Sequence, residues 1–487
     1  MGLVDAPAVP LGEVGSDSLE VDMIGPLPIV AIPLAVPGPA TAATYYVDGA
    51  RGDDAAAGTS PSHAWRTLDR ANAALAPGDT CLVRGGVYEN SQLAPARSGT
   101  AEHPITYAAY LDERPEVTGG RSGSIVNLHD RSCVAVRGFR LHSPAEHDWV
   151  VRITGDHARH NRLEQCEVSD PEGYAPVVIA LGASYNTVSE CTIHDTGHGE
   201  EGSGDCIVLN EGAHHNLVTR NRCCNACHSQ ILLLNGAKHN VISGNDLFAT
   251  THEWAGAGVN LVLGSDSNLI EGNRIHDLGF ITEEKCAIQI DTSDNVVRRN
   301  VIHDVGAFGI SPQAYAHGGR QIAANNLIAN NTVVNCGRQP LVVISKHDCV
   351  AADNRFVNNI AVGPPRAWYG RNAWALVFDT YHLAKPAAVG DWFGNVFESN
   401  LFFHQEPGEP DMVLYNHRGP AVTWSLGQLE RDYPSAFRRN MEAAPQFVDP
   451  KRGDFRLKPG SPGIDAGTDV GLPFTGKAPD VGALEGQ

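Results

Sequence analysis

Residues 268–277, NLIEGNRIHD, carry the phrase that decides the fold. An Asn opens it, an apolar residue stands two positions on, a second Asn stands five positions on, and Asp closes it. Similar copies of this phrase recur along the chain. From Asn161 to Asn354, the first residues of successive copies are 25, 30, 24, 28, 27, 31 and 28 residues apart. A near-constant period of this length indicates a solenoid. The copies begin at Asn161, Asn186, Asn216, Asn240, Asn268, Asn295, Asn326, Asn354 and Asn395.

Each copy alternates apolar and polar residues over a few positions, which is typical of a short strand. A second apolar run follows each copy, such as VNLVL at 259–263 or AIQID at 287–291. One such coil cannot bury its own apolar face, but coils stacked at about 4.8 Å build a continuous core. The sequence therefore predicts an all-β fold, a single-stranded right-handed parallel β-helix, with a short N-terminal helix as its cap.

The Asn residues predict two ladders that stabilise the scaffold. Asn tolerates the left-handed conformation, and its amide can bond to its copies one coil above and below. We therefore interpret the ladders as structural and not as ligand sites. The second ladder consists of Cys166, Cys191, Asn221, Asn245, Asn273, Asn300, Asn331, Asn359 and Asn400.

Charge and cysteine content narrow the class of partner. The 487 residues include 36 Lys and Arg against 56 Asp and Glu, for a net charge of −20. This balance argues against a nucleic-acid partner, and against an anionic substrate unless a cation or a local basic cluster intervenes. Of the 11 cysteines, Cys223, Cys224 and Cys227 give a weak hint of a metal site, but packing as small buried groups is the better reading.

The chain divides into four segments. Residues 1–43 are predicted to be an export segment or otherwise a disordered leader, because 24–43 is apolar and ends in small residues, although its flank is acidic. Residues 44–120 form the N-terminal cap, 121–405 form the coils, and 406–487 form the C-terminal cap. We predict a secreted protein that does not remain inserted in a membrane; the sequence predicts no oligomeric state.

An aromatic-rich insertion interrupts the period near residues 363–392. It contains Trp368, Tyr369, Trp374, Tyr381 and Trp392. Two readings stay open, a platform for sugar rings or the packing of a long loop on the solenoid.

Four stretches carry a family resemblance. They are YYVDGARGDDAAAGTSPSHAWRTL (45–68), GDTCLVRGGVY (78–88), SGTAEHPITYAAY (98–110) and PQFVDPKRGDFRLKPGSPGIDAGT (445–468). Together with the coils they resemble secreted right-handed β-helix proteins of the pectate-lyase-like superfamily, which includes polysaccharide lyases and some glycosidases. The resemblance implies that fold and a polysaccharide substrate, but not one reaction.

The loops that follow each phrase are the places where chemistry is expected, because stacking brings equivalent loops to one edge. Alignment on the strand that follows places Asp205, His228 and Lys285 near one column. Beside them lies the densest set of titratable side chains along the coils: Glu200, Glu201, His252, Glu253, Glu283, Glu284 and Tyr315. We expect His252, Tyr315, Trp254 and His198 to contact substrate.

One mechanism for this set is β-elimination on a uronate-containing glycan. Lys285 or His228 would remove the C5 proton as the base. The substrate carboxylate would need a neutralising cation. Possible ligands for Ca²⁺, which prefers several oxygen atoms, are Asp205, Glu200 and Glu253.

A second mechanism is glycoside hydrolysis by two carboxylates, either Asp205 with Glu253 or Glu253 with Glu284. A third hypothesis is a non-catalytic β-helix that binds glycans or serves in adhesion.

Some of the candidate residues also have a purely structural interpretation. His276 and His303, with Asp277 and Asp304, occupy equivalent positions one coil apart and would suit a metal, but an Asp there is more often a turn residue that bonds local backbone. Lys285 beside Glu283 and Glu284 would also be satisfied as a surface ion pair.

Overall fold

The computed structural model describes residues 42–119, 123–142, 149–170, 174–197, 204–250, 257–279, 286–306, 308–314, 322–363, 374–405 and 413–486. Within these ranges the chain is almost entirely β-strand and winds as a right-handed parallel solenoid. The predicted fold class is confirmed.

Three long sheets run the length of the solenoid, and in the described ranges they hold 14, 13 and 12 strands. Sheet A contains Thr44–Val47, Thr80–Val83, Ile105–Ala109, Val134–Arg137, Arg162–Glu164, Thr187–Ser189, Leu217–Thr219, Val241–Ser243, Leu269–Glu271, Val296–Arg298, Leu327–Ala329, Arg355–Val357, Val396–Glu398 and Phe437–Arg438. Sheet B contains Val87–Glu89, Glu116–Thr118, Arg140–His142, Glu167–Asp170, Thr192–Thr196, Arg222–Ala226, Asp246–Thr250, Arg274–His276, Val301–Val305, Thr332–Cys336, Ile360–Val362, Leu401–Phe403 and Met441–Glu442. Sheet C contains Val126–Asn127, Val151–Thr154, Val177–Ala180, Ile207–Leu209, Ile231–Leu233, Val259–Leu261, Cys286–Ile290, Phe308–Ala314, Leu341–His347, Leu376–Leu383, Val413–Asn416 and Val422–Trp424.

The core is a set of apolar rows that run through the stacked coils. In sheet C, Val177, Ile207, Ile231, Val259 and Ile288 are paired in register, and all are fully buried. Each such side chain contributes about 1.5–3 kcal/mol when it is removed from water. Because successive residues of a strand face opposite sides, the intervening residues point away from the core.

The Asn ladders form as expected and satisfy the polar groups at the corners. Oδ1 of Asn273 accepts from the backbone N–H of Asn245 at 3.0 Å and from its Nδ2 at 2.9 Å. Nδ2 of Asn273 donates to the carbonyl of Ile242 at 2.9 Å and to Oδ1 of Asn300 at 3.0 Å. The same pattern repeats from coil to coil, so each amide fixes the register of its neighbours.

Asp277 and Asp304, the turn residues that follow the second ladder, bond to histidine side chains. The predicted hydrogen bond from each Asp to local backbone is therefore wrong. Asp277 and Asp304 are left-handed, with φ of 52° and 54°, as the turn interpretation requires. Each carboxylate, however, bonds the Nδ1 of the preceding histidine, at 2.7 Å to His276 and 2.8 Å to His303, and not local backbone. A protonated Nδ1 is a hydrogen-bond donor one residue away, and the carboxylate accepts from it in place of a backbone N–H.

Short helices lie in both caps. The predicted N-terminal helix is present at Leu68–Ala74 and is capped by the Thr67 hydroxyl. A second helix, Leu426–Asp432, was not predicted; its signal is the capping box formed by Ser425 and Gln428. Single turns of 3₁₀ helix lie at Pro61–His63 and Pro450–Arg452, and a hairpin joins Phe447–Asp449 to Asp454–Leu457.

The 11 cysteines are all free thiols, and all but Cys224 are buried, in agreement with their reading as packing residues. Among the described residues no helix is both long and apolar enough to cross a membrane.

Candidate functional site

A histidine and a buried aspartate form the centre of the candidate site. His228 Nδ1 lies 2.9 Å from Oδ1 of Asp205, which also accepts the backbone N–H of Ser229 at 2.9 Å. Asp205 is fully buried, whereas the imidazole of His228 retains 14% of its exposure. The carboxylate therefore anchors one ring nitrogen from below, and the ring edge reaches the surface.

The register explains how these two residues meet, and it refines the predicted column. Asp205 stands two residues before Ile207 and is level with Ser229, which stands two residues before Ile231. His228 is thus one residue earlier than Asp205 in the coil, not level with it. The contact crosses two adjacent coils, about 4.8 Å apart.

The contact with Asp205 favours one tautomer of the His228 imidazole. A carboxylate that accepts from Nδ1–H holds the proton on that nitrogen and leaves Nε2 as a base. No described residue bonds Nε2. The arrangement is suited to general-base catalysis, since the ring is oriented and its free nitrogen is at the surface.

Tyr174, which sequence reasoning missed, belongs to the same row. Tyr174, Gly204 and His228 each stand three residues before paired strand positions, and the backbone bonds Gly204 N to Tyr174 O at 2.9 Å and His228 N to Gly204 O at 3.1 Å. Tyr174 and His228 are therefore two coils apart, and the coil between them has a glycine, Gly204, at the equivalent position. Gly204 is required there, because its φ is +93° and a Cβ would lie 2.4 Å from Cβ of Cys227.

The electrostatics couple Tyr174 to the pair. Burial raises the pKa of the Tyr174 phenol, and the negative charge of Asp205 raises it further. Tyr174 as a whole residue is 40% exposed, so it can contact a ligand while its hydroxyl keeps its proton at neutral pH. A proton donor, Tyr174, and a proton acceptor, His228, thus stand in the coils on either side of Gly204.

The outward face of sheet C next to this site is polar over three coils. The outward positions are apolar in the preceding coils, where Val178, Val208 and Leu232 are buried in one cluster. In the next three coils polar residues enter the outward positions, beside the apolar Val262: they are Asn260, Gln289, Asp291, Ser311 and Gln313. The first of these lies two coils, about 10 Å, beyond Asp205 along the solenoid axis.

Two of these outward residues have a buried polar atom without a hydrogen-bond partner within the described ranges, Oδ1 of Asn260 and Oγ of Ser311. Oδ2 of Asp205, on the neighbouring edge, also has no partner there. An unsatisfied buried polar atom costs about 1–3 kcal/mol, so such atoms are rare and need an explanation. Asn260 and Ser311 share the outward face of sheet C, where a polar ligand would satisfy both atoms.

The polar outward positions of sheet C are visible in the sequence, although they were not among the predicted site residues. The second apolar runs read VVIA, IVL and ILL in early coils, but VNL at 259–261 and IQID at 288–291 carry polar residues at alternate positions. In a strand buried on both faces such an alternation marks a change of environment on one face. Tyr174 had no sequence signal, because it lies outside the repeated phrase.

Most other predicted site residues lie outside the described residues. These are His198, Glu200, Glu201, His252, Glu253, Trp254, Glu283, Glu284, Lys285 and Tyr315. The structure therefore tests the placement of Asp205 and His228 alone, and it brings those two together.

Most of the predicted calcium site lies outside the described residues. Ca²⁺ takes six to eight oxygen atoms, and of the three predicted ligands only Asp205 is described, with one oxygen already bonded to His228 and Ser229. More generally, the described ranges contain no cluster of three or more His, Cys, Asp or Glu side chains that could hold a metal ion. His276 and His303 stack at 5.1 Å with parallel rings and bond their own carboxylates, which satisfies them structurally.

The aromatic insertion is in part a packing element. Trp392 is buried among Phe378, Tyr415 and Phe437, so a sugar-platform role for that residue is wrong. Tyr381 is exposed, while Trp368 and Tyr369 lie outside the described residues.

Three parallel sheets joined by Asn ladders define the class of protein, a right-handed parallel β-helix. In agreement, the family model described as a right-handed β-helix region matches residues 200–356. The predicted resemblance to β-helix proteins is thereby confirmed at the level of the fold.

Individual proteins give further likenesses. The chain is 43% identical over 74 residues to a lacto-N-biosidase of Bifidobacterium longum subsp. longum, which covers 14% of this chain and only 5% of that protein. The structure of pectate lyase Pel9A is similar with a TM-score of 0.49 and 16% identity, over 92% of this chain and 98% of that one. A GH136 lacto-N-biosidase from Eubacterium ramulus gives a TM-score of 0.43 and 14% identity, over 77% of this chain and 67% of that one.

Proposed function

We propose that this protein is a secreted carbohydrate-active β-helix enzyme that cleaves a uronate-containing polysaccharide by β-elimination. The observation that carries the proposal is the placement of His228, oriented by buried Asp205, opposite Tyr174 across Gly204. The segment similar to a lacto-N-biosidase supports a carbohydrate as the substrate.

The reaction needs a base and an acid on the bound sugar. Nε2 of His228 takes the C5 proton, the C4–O bond breaks as the C4–C5 double bond forms, and the leaving oxygen takes the proton of the Tyr174 hydroxyl. Asp205 stabilises the imidazolium that results, since it accepts the Nδ1–H bond throughout. Solvent then returns a proton to Tyr174 and removes one from His228.

The row spacing is compatible with these two roles. The backbones of Tyr174 and His228 are two coils, or about 10 Å, apart. Two side chains that project from either side of Gly204 can converge on a sugar ring between them. Proton transfer requires heavy atoms to approach to about 3 Å in the complex.

Glycoside hydrolysis is the second candidate, and the similarity to a lacto-N-biosidase favours it. It requires two carboxylates about 5–9.5 Å apart. Asp205 and Asp291 are both described, but their coils are three steps, or about 14 Å, apart. A hydrolase would therefore need a carboxylate from another segment, such as Glu253, beside Asp205.

A screen of uronate-containing and neutral glycans distinguishes the candidates. β-Elimination produces the ultraviolet absorbance of an unsaturated uronate, whereas hydrolysis produces new reducing ends without it. Chelator treatment in the same assay tests the predicted Ca²⁺ requirement. A chain that binds glycans but releases no product would favour the non-catalytic hypothesis and contradict both reactions.

Variants connect the reaction to the site. His228→Ala and Tyr174→Phe should each abolish most of the activity, while His160→Ala, which removes an exposed histidine stacked on Tyr185 elsewhere on the solenoid, should not. Full activity in both site variants would refute the assignment.

A further inference from the structure

A groove of about 710 Å³ lies at the corner between sheets A and B, near the N-terminal end of the solenoid. It is separate from the face of sheet C that carries His228. Its walls include Leu111, Arg114, Arg137, Gln165 and Thr192. Its volume falls within the range of about 300–1,000 Å³ that is typical of small-molecule sites.

The groove exists because two coils lack large side chains at this corner. Later coils place Gln165, Glu190 and Arg220 at the left-handed corner position. The preceding coil has Gly138 there, with φ of +82°, and its neighbour is Ala109, whose Cβ would be only 3.1 Å from a Cβ at position 138. The gap is thus built into the backbone packing.

The acidic residues around the groove are neutralised by partners. Glu113 forms a two-point contact with Arg84, at 3.0 and 2.9 Å. Glu190 accepts from Arg220 at 2.9 Å and from Gln165 at 3.0 Å. The guanidinium–carboxylate geometry of these pairs leaves little negative charge for a ligand to meet.

Glu167 accepts a single hydrogen bond from Nε of Arg140, at 3.2 Å. The two guanidiniums that line the groove differ, since Arg114 and Arg137 have no ion-pair or hydrogen-bond partner among the described residues. Both are exposed, and Asp112 is the one lining carboxylate without a partner there. Once Glu113, Glu167 and Glu190 are paired, two arginines face one unpaired carboxylate, which leaves an excess of one positive charge for a single acidic group of a ligand.

We propose that this groove is a second carbohydrate-binding site, in which Arg114 and Arg137 hold the carboxylate or sulfate group of an acidic oligosaccharide. Guanidinium groups bind such anions through paired N–H donors. The Thr192 hydroxyl offers a hydrogen bond to a sugar hydroxyl, and Leu111, which is 78% exposed, offers an apolar surface to a ring face. The site rests on the proposed function only in that its ligand is a carbohydrate.

Isothermal titration of the full chain tests the site, in the His228→Ala background so that the ligand is not cleaved. Three oligosaccharides of equal length are compared: one of uronic acids, one sulfated and one neutral. At least one acidic ligand should bind, and the neutral one should bind at least about tenfold more weakly. The arm that binds identifies carboxylate or sulfate as the recognised group.

The double change Arg114→Gln and Arg137→Gln should remove one binding event per chain or weaken it by about tenfold or more. Arg51→Gln removes the same charge from an exposed arginine in the N-terminal cap and should leave the isotherm unchanged. Ala109→Tyr, which fills the gap without a change of charge, should reproduce the loss.

Unchanged affinity and stoichiometry in the double variant, or no binding of either acidic ligand by the parent, would overturn the proposal. The outcome is separate from that of the reaction. A parent without lyase activity but with Arg-dependent binding would refute the proposed function and support the groove as a binding site. A parent with lyase activity but without Arg-dependent binding would support the function and refute the binding site.

Discussion

Asp205 and His228 belong to neighbouring coils, yet Oδ1 of the carboxylate lies 2.9 Å from Nδ1 of the imidazole. The aspartate is fully buried, and its second oxygen has no partner among the described residues. Burial makes this pair sensitive to any change in its charge, because a charge in a low-dielectric site is weakly screened.

The first prediction concerns this pair. His228→Ala should lower kcat by about 10²–10⁴-fold, the usual contribution of a general base. Asp205→Asn should lower kcat by a smaller factor, because the amide still accepts from Ser229 N–H but no longer stabilises an imidazolium. Steady-state kinetics measure both, with His160→Ala as the control; an Asp205→Asn enzyme with unaltered kcat would contradict the orienting role.

Tyr174→Phe should lower kcat by about 10²-fold or more on a natural glycan, since it removes the proposed general acid. On a synthetic substrate whose leaving group is a weakly basic phenol, the loss should largely disappear, because that group departs without protonation. A deficit of equal size on both substrates would show that the hydroxyl does not act as an acid.

Asn260→Leu should separate stability from activity. The change removes a buried Oδ1 without a described partner and extends the apolar row of Leu232, so the free energy of unfolding should rise by about 1–2 kcal/mol. Activity should fall, with KM affected more than kcat, if the amide contacts substrate. Denaturant unfolding and kinetics on the same preparation test this, and a loss of stability would contradict the reading.

Asn273→Ala should destabilise the solenoid strongly. It leaves the backbone N–H of Asn245 without its acceptor and removes one hydrogen bond each from the carbonyl of Ile242 and from Oδ1 of Asn300, which still accepts the backbone N–H of residue 273. An unsatisfied buried N–H costs about 1–3 kcal/mol and each further lost hydrogen bond about 0.5–1.5 kcal/mol, so a total loss of at least about 2 kcal/mol is expected from denaturant unfolding. Asn225→Ala, at an accessible corner, is the matched control and should cost much less.

The stacked histidines predict an acid-sensitive fold. Burial lowers the pKa of His303, and the neighbouring His276 and Arg274 lower it further, while the Asp304 carboxylate opposes them. The unfolded chain therefore binds the proton at a higher pH than the folded one, so stability is complete above the unfolded pKa of about 6.5 and is lost as the pH falls below it.

His303→Phe retains the stacking on His276 and Phe455 but cannot be protonated. Thermal unfolding from pH 7.5 to pH 5 should show a smaller fall in Tm for this variant than for the parent. Parallel curves would exclude His303 as a source of the acid sensitivity.

Much of the fold follows from local pattern. The periodic Asn residues and alternating apolar positions predict coils, and the observed pairing of Asn245, Asn273 and Asn300 follows directly from their spacing. The helix Leu426–Asp432 was missed because it lies in a cap, where no repeat constrains the chain. The expected bond from Asp277 to local backbone was wrong because a side chain one residue away offered a better donor.

The candidate site was only partly accessible to this reasoning. Alignment on the repeats brought Asp205 and His228 to one edge, but the register of sheet C places them diagonally and adds Tyr174 through the glycine at 204. Loops of unequal length shift these residues relative to the Asn phrase, so their relation is visible only once the strands are paired.

The sequence by itself determined the solenoid, because a repeat that recurs every 24 to 31 residues satisfies its polar groups and buries its apolar ones only by stacking on its own copies. The tertiary structure alone decided which polar side chains share a surface. The row of Tyr174, Gly204 and His228, the polar positions of sheet C and the groove at Gly138 depend on neighbours in adjacent coils. Those contacts are set by strand register and not by distance along the chain.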